Sequence, residues 1–360
     1  MTIRDIRRLR LGAQFLTTPG LSRASDVVRA LGAVQAQDYA GAKWAVAQRT
    51  HGATEASVER EIDEGRILRT HVLRPTWHFV APADLRWMLG LTAPRVNAMI
   101  ASYSRNLELD RKVFSRSNAV FTRALAGGKC LTRSELRVEL ERARVKIPTS
   151  QHLGHLMMQG ELDGVICSGP RREKQFTYAL LDERAPSSPS VDRDEALLEL
   201  TRRYFTTRSP ATPQDLAWWS GLTVKDAKRG IEIAGRELEP VALGSQTYWV
   251  AQSLPRPRKT TLTVHLLPNY DEYFIGYRDR SALGNRIGHT TPITGGNALI
   301  PHVIVADGEL VGVWKRTFAR NAVRVTLSLM TQLSGAEERR LRDAVQRFGA
   351  FLESPVEIDA

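Results

Sequence analysis

Cysteine is scarce. The chain has 360 residues and two cysteines, Cys130 and Cys167, far apart and in no metal-ligand spacing. That excludes a disulfide framework and a thiolate metal centre, and it fits a reducing cytoplasm. No apolar run approaches the ~20 residues that a membrane span needs. The N-terminal stretch MTIRDIRRLRLGAQF has neither the apolar core nor the small-residue cleavage site of a secretory signal. There is no phosphate loop, no dinucleotide fingerprint and no nucleophile elbow, so no cofactor is expected. Acidic residues are also short: 39 Asp and Glu stand against 51 Lys and Arg, a net charge of +12. Such an excess suggests an anionic partner, most commonly nucleic acid, although an arginine-rich proteome gives the same balance. Arginine is spread along the whole chain, which favours a folded basic surface over a disordered basic arm. Hydrophobic residues at 42% and charged residues at 25% are ordinary for a soluble globular protein. The length suffices for two or three domains.

The pattern that is present repeats. Residues 3–17 read as a helix stopped by Thr17-Thr18-Pro19-Gly20, residues 23–34 as a second, and residues 55–64 as a third stopped by Gly65. Two β-like runs follow, 67–73 and 76–80, with Arg74-Pro75 between them. Helices followed by a hairpin are the order of a winged helix-turn-helix unit. After a helical stretch from Pro82 to about Ser104 the order recurs: helix 111–126, a capping box at Thr132-Arg133-Ser134-Glu135, helix 149–159, and a hairpin from 164 to 180. The tip of that hairpin is basic. The stretch APSSPSV (185–191) reads as a linker. A third copy has a helix at 192–206, helix starts at Thr212-Pro213 and Thr223-Val224, and a hairpin at 241–250. From Thr261 the character turns to β, with strands at 262–267, 303–306, 309–314 and 323–329 and a terminal amphipathic helix at 335–352. A polar, glycine-rich loop spans 278–297, a length that is usually functional or mobile.

One short stretch, Ala33-Val34-Gln35-Ala36-Gln37-Asp38, closes the second helical run and precedes a small-residue stretch, 39–42. Two glutamines two apart can lie on one side of an extended backbone and orient a water through their amide groups. The competing reading is that they cap the helix or satisfy buried backbone. Other candidates compete elsewhere. His152 and His155 stand at a spacing that can bind metal, with no Cys or carboxylate partner evident, so no metal site is assigned. Asp271-Glu272 reads either as paired hydrolase acids or as ion-pair partners of Arg278 or Arg280. Trp218-Trp219 reads as core.

The segments VQAQDYAGAKWAVAQRT (34–50), RTHVLRPTWHFVAPADL (69–85), HLLPNYDEYFIGYRDRS (265–281), HTTPITGGNALIPHVIVADGELVGVWKR (289–316) and the terminal helix resemble the tandem winged-helix DNA glycosylases of the AlkZ and YcaQ type. The resemblance covers nearly the whole chain. It implies an α+β fold of three tandem winged helix-turn-helix modules with a C-terminal β-rich piece, C-shaped around DNA. The expected limits are 1–106, 107–188, 189–258 and 259–360. In that family a Gln-x-Gln or Gln-x-Asp motif carries catalysis; here it falls on Gln35 and Gln37, with Asp38 as a departure that a shift of register would make the base. The implied activity is hydrolysis of the N-glycosidic bond of alkylated purines, bulky adducts and crosslinks left by genotoxic natural products included. The implied partner is double-stranded DNA, with no membrane, bound by a monomer in the cytoplasm. The alternative is a non-catalytic winged-helix DNA-binding protein or regulator. Expected DNA contacts are Arg74 and His78 on the first wing, Arg171, Arg172 and Lys174 at the second wing tip, Arg278, Arg280, Arg286 and His289 in the long loop, and Lys315 and Arg316.

Overall fold

The computed structural model describes residues 1–18, 20–185, 191–254, 262–284, 286, 301–320 and 322–359. A leading helix α1 (Ile3–Ala13) precedes the first module: α2 (Ala24–Leu31), β1 (Ala33–Gln35), α3 (Tyr39–Ala47), α4 (Glu55–Asp63), β2 (Leu68–Val72) and β3 (Arg74–Val80). The long helix α5 (Pro82–Asn106) leads to the second: α6 (Arg111–Leu125), β4 (Leu131–Thr132), α7 (Arg133–Arg142), α8 (Ser150–Leu162), β5 (Ile166–Ser168) and β6 (Thr177–Leu180). After a short α9 (Leu181–Arg184), the third runs α10 (Arg193–Arg208), α11 (Pro213–Ser220), α12 (Val224–Ala234), β7 (Leu238–Leu243) and β8 (Gln246–Ala251). The C-terminal piece holds β9 (Val264–Leu267), α13 (Glu272–Ile275), β10 (His302–Ala306), β11 (Glu309–Phe318), β12 (Val323–Leu329), α14 (Gly335–Leu352) and β13 (Val356–Asp359).

Each module therefore has the winged-helix order: helix, short strand, two helices, two strands. The first two sheets share one layout, β1-β3-β2 and β4-β6-β5, and in the third the leading strand shrinks to a bridge between Ala211 and Trp249. The corner after that leading strand is built alike in all three. Asp38, Thr132 and Thr212 each accept a backbone N–H of the next helix's first turn. Such a cap contributes about 1 kcal/mol to the helix it opens. The C-terminal sheet runs β13-β12-β11-β10-β9, with β13 added in parallel to β12.

Several expectations change. The second helix stops at Leu31, where Gly32 takes φ 80°, and the glutamines follow on β1 and the turn beyond it. They do not cap α2, so the capping half of the competing reading falls. The stretch 39–42 is the first turn of α3, a helix buried from Gly41 to Ala47. A helix buried on every side shows no amphipathic period, which is why none was read there. Helix α1 lies outside the first module, and β13 was not anticipated. Most of the linker, 186–190, and most of the long loop, 287–297, lie outside the described residues.

The first sheet sits between two cores. Ala33, Leu68 and Val80 pack with α5 and with Leu200, Tyr204 and Trp219 of the third module. Val34 and Phe79, on the opposite face, join Trp44 of α3 and Leu266, Ile304, Trp314 and Phe348 of the C-terminal piece. The second module closes a core of its own around Phe121, Leu136 and Leu156.

Two adjacent acids join these bodies. Asp271 takes a two-pronged ion pair from Arg49, at 2.8 and 2.9 Å. Glu272 accepts from Arg208 at 2.6 Å and from the Trp219 indole at 2.8 Å. All four charged side chains are at 0% exposure. The acids are thus ion-paired, with Arg49 and Arg208 in place of the expected Arg278 or Arg280, and they are not a pair of hydrolase carboxyls. Removing one partner of such a bridge strands a buried charge. Glu272→Ala should therefore cost about 3–5 kcal/mol in urea denaturation, whereas Glu357→Ala, which breaks an exposed pair, should cost less than about 1 kcal/mol. Equal losses would mean that the clamp does not hold the modules together.

Candidate active site

The backbone of the glutamine stretch is pinned from both sides. Gln35 donates its N–H to Glu272 at 3.0 Å, and Ala36 donates to the Trp77 carbonyl at 2.7 Å. The Ala36 carbonyl accepts from Arg69 Nε at 3.1 Å. Across the sheet Gln35 pairs with His78, and His78 pairs with Thr70. These three side chains share one face.

The two glutamines differ. Gln35 is 7% exposed, and its Oε1 accepts from Arg74 Nη2 at 2.8 Å. Gln37 is exposed, two residues past the end of β1 and one before the helix cap. Asp38 caps α3 by accepting from Gly41 at 3.1 Å and pairs with Arg316 at 3.6 Å. A Cβ at position 41 would lie 2.6 Å from Asp38 Oδ2, so any side chain there would push the capping carboxylate aside. Asp38 is thus a cap with an arginine partner, and Gln37 carries the one amide of this corner that makes no hydrogen bond among the described residues.

Charges around Gln35 are buried beneath it. Burial lowers the Arg74 pKa, Glu272 pulls it back up, and Arg208 and Arg280 add to the lowering. Arg74 nonetheless stays a cation. His78 is fully buried; desolvation and the nearby Arg74 hold its imidazole well below the ordinary range, so it is neutral. Its Nδ1 lies 2.9 Å from the Thr76 carbonyl and must carry the proton, because a carbonyl only accepts. His78 therefore faces the interior, and the expectation that it meets a phosphate is corrected.

The other expected contacts divide. Arg172 is exposed but pairs with Glu135 at 2.8 Å, and Lys174, Arg278 and Lys315 are exposed. Arg171 lies half-buried over Tyr39 and Phe176, at 5.3 and 5.2 Å from their centroids. Arg280 covers Phe274 and donates to its carbonyl. Arg286 is held by Glu337 at 2.6 Å and by the Gln332 carbonyl, which turns it towards α14 and away from the expected groove contact. His289 lies outside the described residues. Arg316 reaches the glutamine corner through Asp38. His152 bonds Thr149, and His155 lies against Tyr103, so the two histidines serve the helix and its packing. Trp219 is core as expected, whereas Trp218 is 45% exposed and donates to the Ile275 carbonyl. Glu272, Arg69 and Arg208 were missed as site-builders. Nothing local marks them, since their partners are remote in sequence.

Residues 28–351 match the family described as DNA glycosylase AlkZ-like. The chain belongs to that family. It is 27% identical over 328 residues to an interstrand DNA cross-link repair glycosylase of Streptomyces sahachiroi, covering 87% of each protein. Its fold matches the solved structure of the DNA glycosylase AlkZ of the same organism, with a TM-score of 0.77, 22% identity and full coverage of both chains. As an AlkZ-like glycosylase it is a hydrolase of N-glycosyl bonds with DNA as substrate. No helix among the described residues is long and apolar enough to cross a membrane.

Two further histidines lie on the C-terminal sheet of this AlkZ-like fold. His302 Nδ1 accepts the Asn269 N–H at 2.9 Å, and burial and Arg316 push its pKa down to about 4. Burial pushes His265 down to about 3. In the unfolded chain both protonate near about pH 6.5. Below that value the unfolded state binds more protons, so stability falls with pH until the folded groups titrate in turn. Thermal melts should show Tm falling from pH 6.5 towards pH 4.5, with a shallower fall in His302→Gln. A wild-type Tm that stays level across this window would contradict the assignment of neutral rings.

Proposed function

We propose that the protein hydrolyses the N-glycosidic bond of purines alkylated at ring nitrogen seven, using a water held by Gln35 and Gln37. The observation that carries this is the asymmetric pair at the strand end. One amide is locked and nearly buried, and the next is exposed at the mouth of the same corner. A purine alkylated at that nitrogen is already cationic. As its C1′–N bond breaks, the electron pair goes to the base, which leaves neutral. The water oxygen bonds C1′, and its proton passes to solvent. No acid is needed for departure, so oriented dipoles suffice to hold the water against a sugar with oxocarbenium character. General-base help typically contributes 10²–10⁴-fold, roughly, and little of it is required for so labile a bond.

Exposed cations on the second wing and the C-terminal piece, Arg172, Lys174, Arg278 and Lys315, are the proposed phosphate contacts, made by a monomer on one duplex. Log affinity for duplex DNA should fall linearly with log salt, with a slope reflecting about 5–10 phosphates. Affinity that is flat between low and moderate salt would remove this part of the reading.

The decisive assay is release of 7-methylguanine from duplex DNA. Gln37→Ala should abolish it with DNA affinity nearly intact, because the lost contact exists mainly in the transition state. Gln35→Ala should also be impaired, and Gln37→Asp should keep some activity through a carboxylate that accepts the water's proton. An active Gln35→Ala/Gln37→Ala double variant would remove the water-positioning role.

A further inference from the structure

We infer that Arg74 is a positioning residue for this hydrolysis, one that fixes Gln35 as the hydrogen-bond donor of the pair and leaves Gln37 as the acceptor. The inference rests on the two-glutamine reading above. A guanidinium can only donate. The Gln35 atom 2.8 Å from Arg74 Nη2 is therefore its carbonyl oxygen, and the amide NH2 is turned away from Arg74. Rotating the amide would set two donors against each other in a nearly buried place, beside a charge that burial has already made costly. The orientation is thus set by a charge-assisted bond.

Arg74 is itself held. It lies at the start of β3 and in the field of Glu272, the same carboxylate that accepts the Gln35 N–H. Its stem passes the left-handed Gly221 at the end of α11, where a Cβ would stand 3.2 Å from Arg74 Cγ and 2.3 Å from the Leu73 carbonyl. Third-module backbone therefore sets the arginine, and the arginine sets the glutamine. In the corner this produces a polarised pair. The water donates one hydrogen bond to Gln37 Oε1 and accepts one from Gln35 Nε2, so its remaining lone pair faces C1′. Two carbonyls would instead accept both protons and leave the oxygen unanchored.

The test is single-turnover release of 7-methylguanine at saturating protein, with duplex affinity and Tm measured alongside. Arg74→Met should slow release about 10- to 100-fold, the worth of one charged hydrogen bond, with affinity unchanged. Arg74→Lys, which keeps a donor, should recover part of the rate. The double variant Arg74→Met/Gln35→Ala should be no slower than Gln35→Ala alone, a non-additivity that a merely structural role would not produce. Should Arg74→Met not fold, Gln35→Glu decides the matter. It keeps an oxygen for Arg74 but replaces the donor nitrogen with an acceptor, and should be as slow as Gln35→Ala. Three results overturn the inference: a Gln35→Glu enzyme as fast as wild type; multiplicative losses in the double variant; or an Arg74→Met enzyme with normal saturated rate, weaker binding and a salt slope reduced by about one, which would make Arg74 a phosphate contact. Any of these beside an inactive Gln37→Ala leaves the water reading standing. A wild type that releases no base, or an active Gln37→Ala, removes both.

Discussion

Two adjacent carboxylates, Asp271 and Glu272, hold two guanidiniums from different modules, and the rest of the molecule is arranged around that clamp. Taking four charges out of water is costly, and buried bridges of this kind add little net stability over apolar packing. What they impose is register, because each guanidinium and its carboxylate must meet in one relative placement to pair. Arg49 spends its donors on Asp271, the Ala45 carbonyl and both oxygens of Gln14. Arg208 reaches Glu272 and the Leu31 carbonyl at the end of α2. The clamp therefore fixes where α2 ends and where β1 begins. The other oxygen of Glu272 then takes the Gln35 N–H, from 237 residues away in sequence. Gln35 is set by the junction of three parts of the chain, and no single module would hold it.

This is also why parts of the site were legible in the sequence and others were not. The capping box at Thr132/Glu135, the hairpin of strands 303–306 and 309–314 and the terminal helix rest on local chemistry, and they stand where local signals put them. The glutamines were visible as a motif, but their setting was not. A three-residue strand after Gly32 is too short to show alternation, and α3 is buried all round. Trp218 and Trp219 are neighbours whose side chains diverge by about 100° on a helix, so one enters the core and the other faces out. The identity of the acids' partners could not be read, because ion pairing over such sequence distances leaves no spacing to detect. Arg286 shows the reverse case: a cation in a loop rich in glycine reads as a DNA contact until Glu337 is found beside it.

The placement of charge bears on selectivity. Groups that could exchange a proton with a base lie beneath the corner and are committed there. Glu272 is saturated by Arg208, Trp219 and the Gln35 backbone. Asp38 is engaged by the α3 backbone and Arg316. His78, directly across the sheet from Gln35, is neutral and donates its Nδ1–H as a hydrogen bond to the Thr76 carbonyl. On the proposed chemistry the groups turned outward are amides, which neither give nor take a proton near neutral pH. An intact purine is a poor leaving group unless protonated, and these residues offer it no proton. An alkylated purine carries its positive charge already and departs with only a positioned water. Discrimination between damaged and normal DNA then needs no deep pocket that measures the adduct. It follows from an arrangement too weak to attack any bond that the lesion has not already loosened.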